Sequence, residues 1–170
     1  MQQVHKAKGA IDFLAKFTSS EQFEKTFKEG MALVEETANY LDGEGRQDAK
    51  LLDRTGAIAY ATESMRLTTR LMQMASWLLL QRAIAAGELS PSDMNREKHR
   101  INLGEIGQGN AIKGAELLPA GLNSLVERSL RLLERIRKLD AMLVPSNPTD
   151  EARSPVLDQI NMLNRAFGVR

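Results

Sequence analysis

The feature that most constrains this chain is a proline-free stretch that runs from Gln47 or Asp48 to Ala86. As one helix it would be roughly 55–60 Å long, since each helical residue adds about 1.5 Å, and Gly87 would form its C-terminal cap. Its apolar residues cover about half of the helix circumference, more than the ~100° that a surface helix needs. The stretch therefore predicts a long central helix that is covered by two neighbouring helices or by a second subunit. The apolar residues in this arc are Ile58, Tyr60, Ala61, Met65, Leu67, Leu71, Met72, Met74, Leu78 and Leu79.

The opposite arc of this helix is polar and carries Glu63, Arg66, Arg70, Gln73 and Trp77. Tryptophan and arginine are enriched where proteins contact each other. We therefore regard these five residues as a candidate partner-binding or dimer surface. The alternative, that a third helix of the same chain covers Trp77, stays open and is the favoured interpretation.

Three methionines of the apolar arc, Met65, Met72 and Met74, have two interpretations. Methionine adapts to irregular surfaces, so the three could form a binding surface. Methionine also fills gaps in hydrophobic cores, and we favour this second role for them.

Start and stop signals predict three further helices. Thr18 and Glu21 have the spacing of a capping box, which predicts a helix over 19–42 that ends at Gly43. Ser90 followed by Pro91 predicts a helix from there to about Leu103. After a glycine-rich loop over 104–114, a heptad-like leucine pattern predicts a last long helix over 120–143.

Strand patterns are scarce, so the expected fold is all-α: an antiparallel bundle of three to four helices with a long central helix. At 170 residues the chain suggests one domain. We place the bundle at 1–144, with 1–18 as a candidate flexible start. We expect 145–170 to be a flexible tail, with a short amphipathic segment from Leu157 to Phe167.

Charge is balanced in total but not along the chain. The 23 basic and 22 acidic residues give a net charge of +1, which offers no general attraction to nucleic acids or anionic membranes. Residues 18–42 carry six acids and two lysines, whereas 122–140 carry five bases and three acids. Opposite charge favours the two helices as neighbours, although two solvated faces are the favoured explanation of most of these charges.

The residue inventory leaves little room for catalysis. The chain has no cysteine and two histidines, too few preferred ligands for zinc, and no phosphate-binding loop or nucleophile motif. We expect no catalytic residue, no metal and no cofactor. Two alternatives stay open: phosphotransfer through His99, which lies between Lys98 and Arg100, and nucleic-acid binding through the basic face of 122–140.

Two long segments carry a family resemblance: FKEGMALVEETANYLDGEGR over 27–46 and AYATESMRLTTRLMQMASWLL over 59–79. Gln81-Arg82-Ala83 and Gly87-Glu88 continue it. These segments resemble the regulator-of-CtrA-degradation (RcdA) family of alphaproteobacteria. The resemblance is close over roughly 23–103 and extends to the last long helix only in pattern.

The resemblance implies a non-enzymatic adaptor for regulated, ATP-dependent proteolysis. Such an adaptor would tether cell-cycle regulators to a ClpXP protease that has been primed by a CpdR-like response regulator. It also implies a homodimer that acts in the cytoplasm, with no membrane and no nucleic acid among its partners. The absence of a signal-peptide pattern or a long apolar run is consistent with that location.

Overall fold

Three long helices form the body of the molecule in the computed structural model, which describes residues 16–103 and 109–143. No strand occurs within those two ranges, and the predicted all-α helical bundle is confirmed. The long helices are α1, α3 and α5, and two shorter helices and a single 3₁₀ turn lie between them. The elements are α1 (Glu21–Asp42), α2 (Glu44–Lys50), α3 (Arg54–Ala85), α4 (Pro91–Arg100), the 3₁₀ turn (Ala115–Leu117) and α5 (Ala120–Leu143).

The cap residues explain where the helices begin. Ser20, not Thr18, caps α1, because its hydroxyl oxygen accepts a hydrogen bond from the Phe23 amide at 3.2 Å. Ser90 caps α4 as predicted, by accepting from the Asp93 amide. Each cap satisfies an amide that has no partner within its helix.

The central helix is shorter than predicted. A turn at Leu51 and Leu52 separates α2 from α3, and Asp53 caps α3 through a 2.7 Å hydrogen bond from the Gly56 amide to its carboxylate. The expectation of one helix from Gln47 or Asp48 to Ala86 was therefore wrong at its start. Aspartate is a strong N-cap residue, but no proline or glycine stands beside Asp53 to mark the break in the sequence.

The three long helices meet through apolar side chains. Buried residues include Phe23 and Leu33 of α1, Leu67 and Leu78 of α3, and Leu132 of α5. A Cβ added to Gly30 of α1 would lie 2.7 Å from Leu78 Cδ1, so the glycine allows α1 to approach α3 closely.

The direction of the helices follows from their cross-contacts. Residues of rising number on α1 meet residues of falling number on both α3 and α5, so α1 is antiparallel to the other two. For example, the Arg82 guanidinium of α3 lies 4.3 Å from the centre of the Phe27 ring, near the start of α1. Because α1 is antiparallel to both of them, α3 and α5 run in the same direction.

Two ion pairs confirm that the acidic first helix and the basic last helix are neighbours. Arg128 donates two hydrogen bonds to Glu36, at 2.6 and 2.7 Å. Seven residues later on α5, Arg135 donates to Glu29, which lies seven residues before Glu36 on α1, at 2.5 Å. The interval of seven residues on both helices is the repeat expected of two antiparallel helices in contact.

The domain boundary at 144 stays a prediction. Residues 1–139 form one compact unit and 140–170 a second, and of the second unit only 140–143, the end of α5, are described. The predicted flexible start over 1–18 lies almost entirely outside the described residues. The predicted tail and its segment from Leu157 to Phe167 lie wholly outside them.

Candidate partner-binding surface

The polar arc of α3 faces the interior of the molecule at its centre. Arg70 is 1% exposed, and its Nη1 donates a 2.7 Å hydrogen bond to the hydroxyl oxygen of Ser129 on α5. Ser129 in turn donates to the Val126 carbonyl at 2.7 Å. Glu63, also buried, places a carboxylate oxygen 3.7 Å from Arg70 Nη2. These groups form a buried polar cluster that joins α3 to α5.

Burial has an electrostatic effect on the cluster. Removal from water lowers the pKa of the Arg70 guanidinium, and the nearby Glu63 carboxylate opposes that shift. A buried cation needs such a partner because its desolvation would otherwise cost several kcal/mol. The pairing is incomplete, since Arg70 Nε has no hydrogen-bond acceptor within the described part of the chain.

Arg66 and Gln73 hold the residues on either side of 104–108 against α3. Both terminal nitrogens of Arg66 lie 3.3 Å from the Asn110 carbonyl oxygen, to which they donate. The Gln73 side-chain oxygen accepts from the Asn102 amide at 3.1 Å. A Cβ at Gly109 would overlap the Arg66 guanidinium, so a larger residue there would displace the end of the Arg66 side chain.

Trp77 lies inside the bundle and is 2% exposed. The favoured interpretation, in which the chain itself covers this tryptophan, is therefore correct. Together with Arg70 and Glu63 it belongs to the interior of the monomer. Among the five predicted surface residues, Arg66 and Gln73 retain partial exposure, and a partner contact at these two stays a prediction.

The exposed side of α3 is instead apolar. Four large side chains spaced seven residues apart are between 53% and 72% exposed. They are Ile58, Met65, Met72 and Leu79, and we call them the α3 stripe. Core filling is the role of Met74, which is buried, but that interpretation was wrong for Met65 and Met72.

A sequence signal for the α3 stripe existed. Between 55 and 81 the only charged residues are Glu63, Arg66 and Arg70. Arg66 and Arg70 donate hydrogen bonds to residues outside α3, and Glu63 pairs with these two arginines. A helix face without charges is unusual for a surface in contact with water. A wide apolar arc together with three charges on the other side fits a helix whose charges point inward.

The residues for the two alternative functions, phosphotransfer and nucleic-acid binding, differ in their surroundings. His99 is exposed near the end of α4, between the exposed Lys98 and Arg100. On α5 the basic face is partly neutralised, because Arg128 and Arg135 pair with glutamates of α1. That pairing leaves fewer cations for nucleic-acid phosphates.

In 16–103 and 109–143 there is no group of three or more acidic or histidine side chains arranged to hold a metal ion. No helix in those same ranges is long and apolar enough to cross a membrane.

Comparison with known proteins gave one family and one informative structure. Residues 14–167 match the family described as protein of unknown function DUF1465. The chain has 51% sequence identity to the protein in the crystal structure of RcdA from Caulobacter crescentus CB15. The match covers 76% of this chain and 96% of that chain, with a TM-score of 0.60. No curated protein matches.

Proposed function

Since the chain belongs to the DUF1465 family, with RcdA as a close structural relative, we propose that it is a non-enzymatic adaptor for regulated proteolysis. The observation that carries the proposal is the 51% identity to RcdA across 96% of that protein's chain. The match covers 76% of this chain. Conservation of surfaces, and with them of partners, is the expectation at such similarity.

The proposed partners are a ClpXP protease, a CpdR-like response regulator that primes it, and protein substrates. The adaptor would act as a homodimer in the cytoplasm. Helices offer large rigid faces for such contacts. The sequence and the described residues supply contact surfaces, and the proposed role requires no bond to be made or broken by the adaptor.

The proposed mechanism is an increase in effective concentration. An adaptor that holds a substrate beside the unfoldase makes capture nearly intramolecular, which can raise apparent affinity by about 10²–10⁴ without any new contact between substrate and enzyme. Such bridging has a diagnostic dose dependence. Substrate degradation should first accelerate with adaptor and then slow again, when excess adaptor occupies substrate and protease separately.

The test is reconstituted degradation with ClpXP, a CpdR-like primer and a fluorescent candidate substrate. We expect the substrate half-life to fall when the chain is added, and only when primer and ATP are both present. Reactions without primer, and with a substrate that ClpXP degrades unaided, serve as controls. An unchanged half-life across the full range of adaptor concentrations would count against the proposal.

A second measurement separates this function from phosphotransfer. The full chain and a His99→Gln variant are incubated with a receiver domain that carries labelled phosphate. The proposal expects no label on either protein. Label on the wild-type chain that disappears in the variant would show a phosphotransfer activity instead.

A further inference from the structure

The two middle residues of the α3 stripe are methionines whose side chains reach into solvent. Met65 is 72% exposed and Met72 is 65% exposed, whereas Met74, two residues further along the same helix, is 1% exposed. Exposure decides how readily a thioether sulfur meets a dissolved oxidant, because the oxidant must approach the sulfur directly. One helix therefore carries two accessible methionines on its outer side and a shielded one on its inner side.

The residues around the two exposed methionines are small. On a helix the nearest surface neighbours of a residue lie three and four positions away, and here all of them are alanine, threonine or serine. All six are exposed or half-exposed, and none is long enough to fold over a methionine sulfur. The stripe therefore leaves both thioethers open to solvent. The six neighbours are Ala61, Thr62, Thr68, Thr69, Ala75 and Ser76.

The sulfur chemistry of this chain is that of methionine, because it has no cysteine whose thiolate would react with an oxidant first. The thioether sulfur attacks one oxygen of a hydroperoxide, so that an S–O bond forms and the O–O bond breaks. The sulfur loses two electrons and the peroxide gains them. With hydrogen peroxide, the second oxygen takes the proton of the transferred oxygen and leaves as water. A methionine sulfoxide reductase reverses the change, with two thiols becoming a disulfide and the sulfoxide oxygen leaving as water.

Oxidation at these two positions would change the character of the whole stripe. A sulfoxide is polar where the thioether was apolar, and neither the stripe nor its six small neighbours include a charged residue. Two sulfoxides in the middle of the row would interrupt the apolar surface between Ile58 and Leu79. The core would keep its packing, because Met74 is shielded from the oxidant.

We propose that Met65 and Met72 are sites of reversible oxidation by hydroperoxides, through which the α3 stripe changes from an apolar to a polar surface while the bundle stays folded. Any contact that depends on the apolar character of the stripe is weakened by the modification and restored by a methionine sulfoxide reductase. The inference goes beyond the proposed function and does not rest on it, so its tests have readouts other than degradation.

Peptide mass spectrometry after treatment of the full chain with hydrogen peroxide tests the two sites. We expect Met65 and Met72 each to gain one oxygen atom at least about tenfold faster than Met74. All three should react at similar rates once urea has unfolded the chain. The reaction is run at the lowest practical protein concentration, so that association does not shield the stripe. Equal rates for the three methionines in the folded chain would overturn the inference.

Retention on a hydrophobic-interaction column tests the consequence for the surface. Peroxide-treated wild-type chain should elute earlier than untreated chain, with unchanged helicity by circular dichroism, and a reductase should restore its retention. A Met65→Leu/Met72→Leu variant keeps an apolar stripe without sulfur and should lose most of that shift. Met142→Leu, which changes an exposed methionine on α5, is the matched control and should keep most of it. An equal shift in the double variant, or a loss of helicity on oxidation, would refute the proposal.

Discussion

The inward and outward sides of α3 reverse the usual arrangement of a surface helix. The inward side buries the charged pair Glu63 and Arg70, whereas the outward side exposes Met65 and Met72. The inward charges are compensated by each other and by Ser129. The outward apolar residues are exposed among the residues that the structure describes. The difference teaches that the polarity of a side chain does not decide its side in this helix, because a buried charge can be paired within the bundle.

The largest effect should come from the buried side. We expect Arg70→Ala to reduce the free energy of unfolding by about 3–5 kcal/mol, because it removes the bond to Ser129 and leaves the Glu63 carboxylate buried without its cation. Urea denaturation followed by circular dichroism measures this change. A double variant, Glu63→Leu with Arg70→Met, should recover much of the loss, since an apolar pair leaves no buried charge. A loss below about 1 kcal/mol for Arg70→Ala would mean that water reaches the cluster.

The same reversal explains which features could be predicted from sequence. Helix α5 was predicted at 120–143 and found at Ala120–Leu143, because its leucines repeat cleanly and Pro119 marks its start. The neighbour relation of α1 and α5 followed from their opposite charges. The sides of α3 were assigned wrongly, because hydrophobicity alone does not distinguish a residue buried by the same chain from one left for another chain. Arg70 is in the core because Ser129 and Glu63 lie within reach of it, and only the three-dimensional fold brings Ser129 there.

The adjacent residues Leu78 and Leu79 lie on the buried and the exposed side of α3, so their variants compare the two sides within one helical turn. Leu78 is 0% exposed and contacts α1 near Gly30, whereas Leu79 belongs to the stripe. Leu78→Ala should cost about 2–5 kcal/mol, the typical penalty of a buried cavity. Leu79→Ala should change the unfolding free energy of the monomer by no more than about 0.5 kcal/mol.

Both leucine variants should be measured by urea denaturation at several protein concentrations, because any contribution of association to the unfolding free energy depends on concentration. Similar costs for Leu78→Ala and Leu79→Ala at the lowest concentration would contradict the assignment of sides.

Met65 and Arg66 are adjacent in sequence, but Met65 lies on the exposed side of α3 and Arg66 contacts another part of the chain. Arg66→Ala removes the hydrogen bonds to the Asn110 carbonyl and the contact with Glu63. We expect it to cost about 1 kcal/mol. Met65→Ala should change the unfolding free energy by no more than about 0.5 kcal/mol, because the Met65 side chain is 72% exposed. Urea denaturation of both variants measures the difference, and equal costs would contradict the assignment of sides.

The smallest effect on stability should come from the exposed ion pair between Glu36 and Arg128, in contrast to the buried pair between Glu63 and Arg70. The hydrogen bonds from Arg128 lower the pKa of the Glu36 carboxyl below its ordinary value of 4.5. Its stabilising contribution is therefore present above pH 4.5 and is lost as the pH falls through the lowered pKa.

Glu36→Gln should cost about 0.2–1 kcal/mol at pH 7, and the difference from wild type should shrink below pH 4.5. The exposed neighbour Glu35, changed to glutamine, is the control and should show little difference at either pH. Urea denaturation at pH 7 and at pH 3.5 makes the measurement. If Glu36→Gln costs as much as Arg70→Ala, then exposed pairing between α1 and α5, rather than the buried cluster of α3, holds the bundle together.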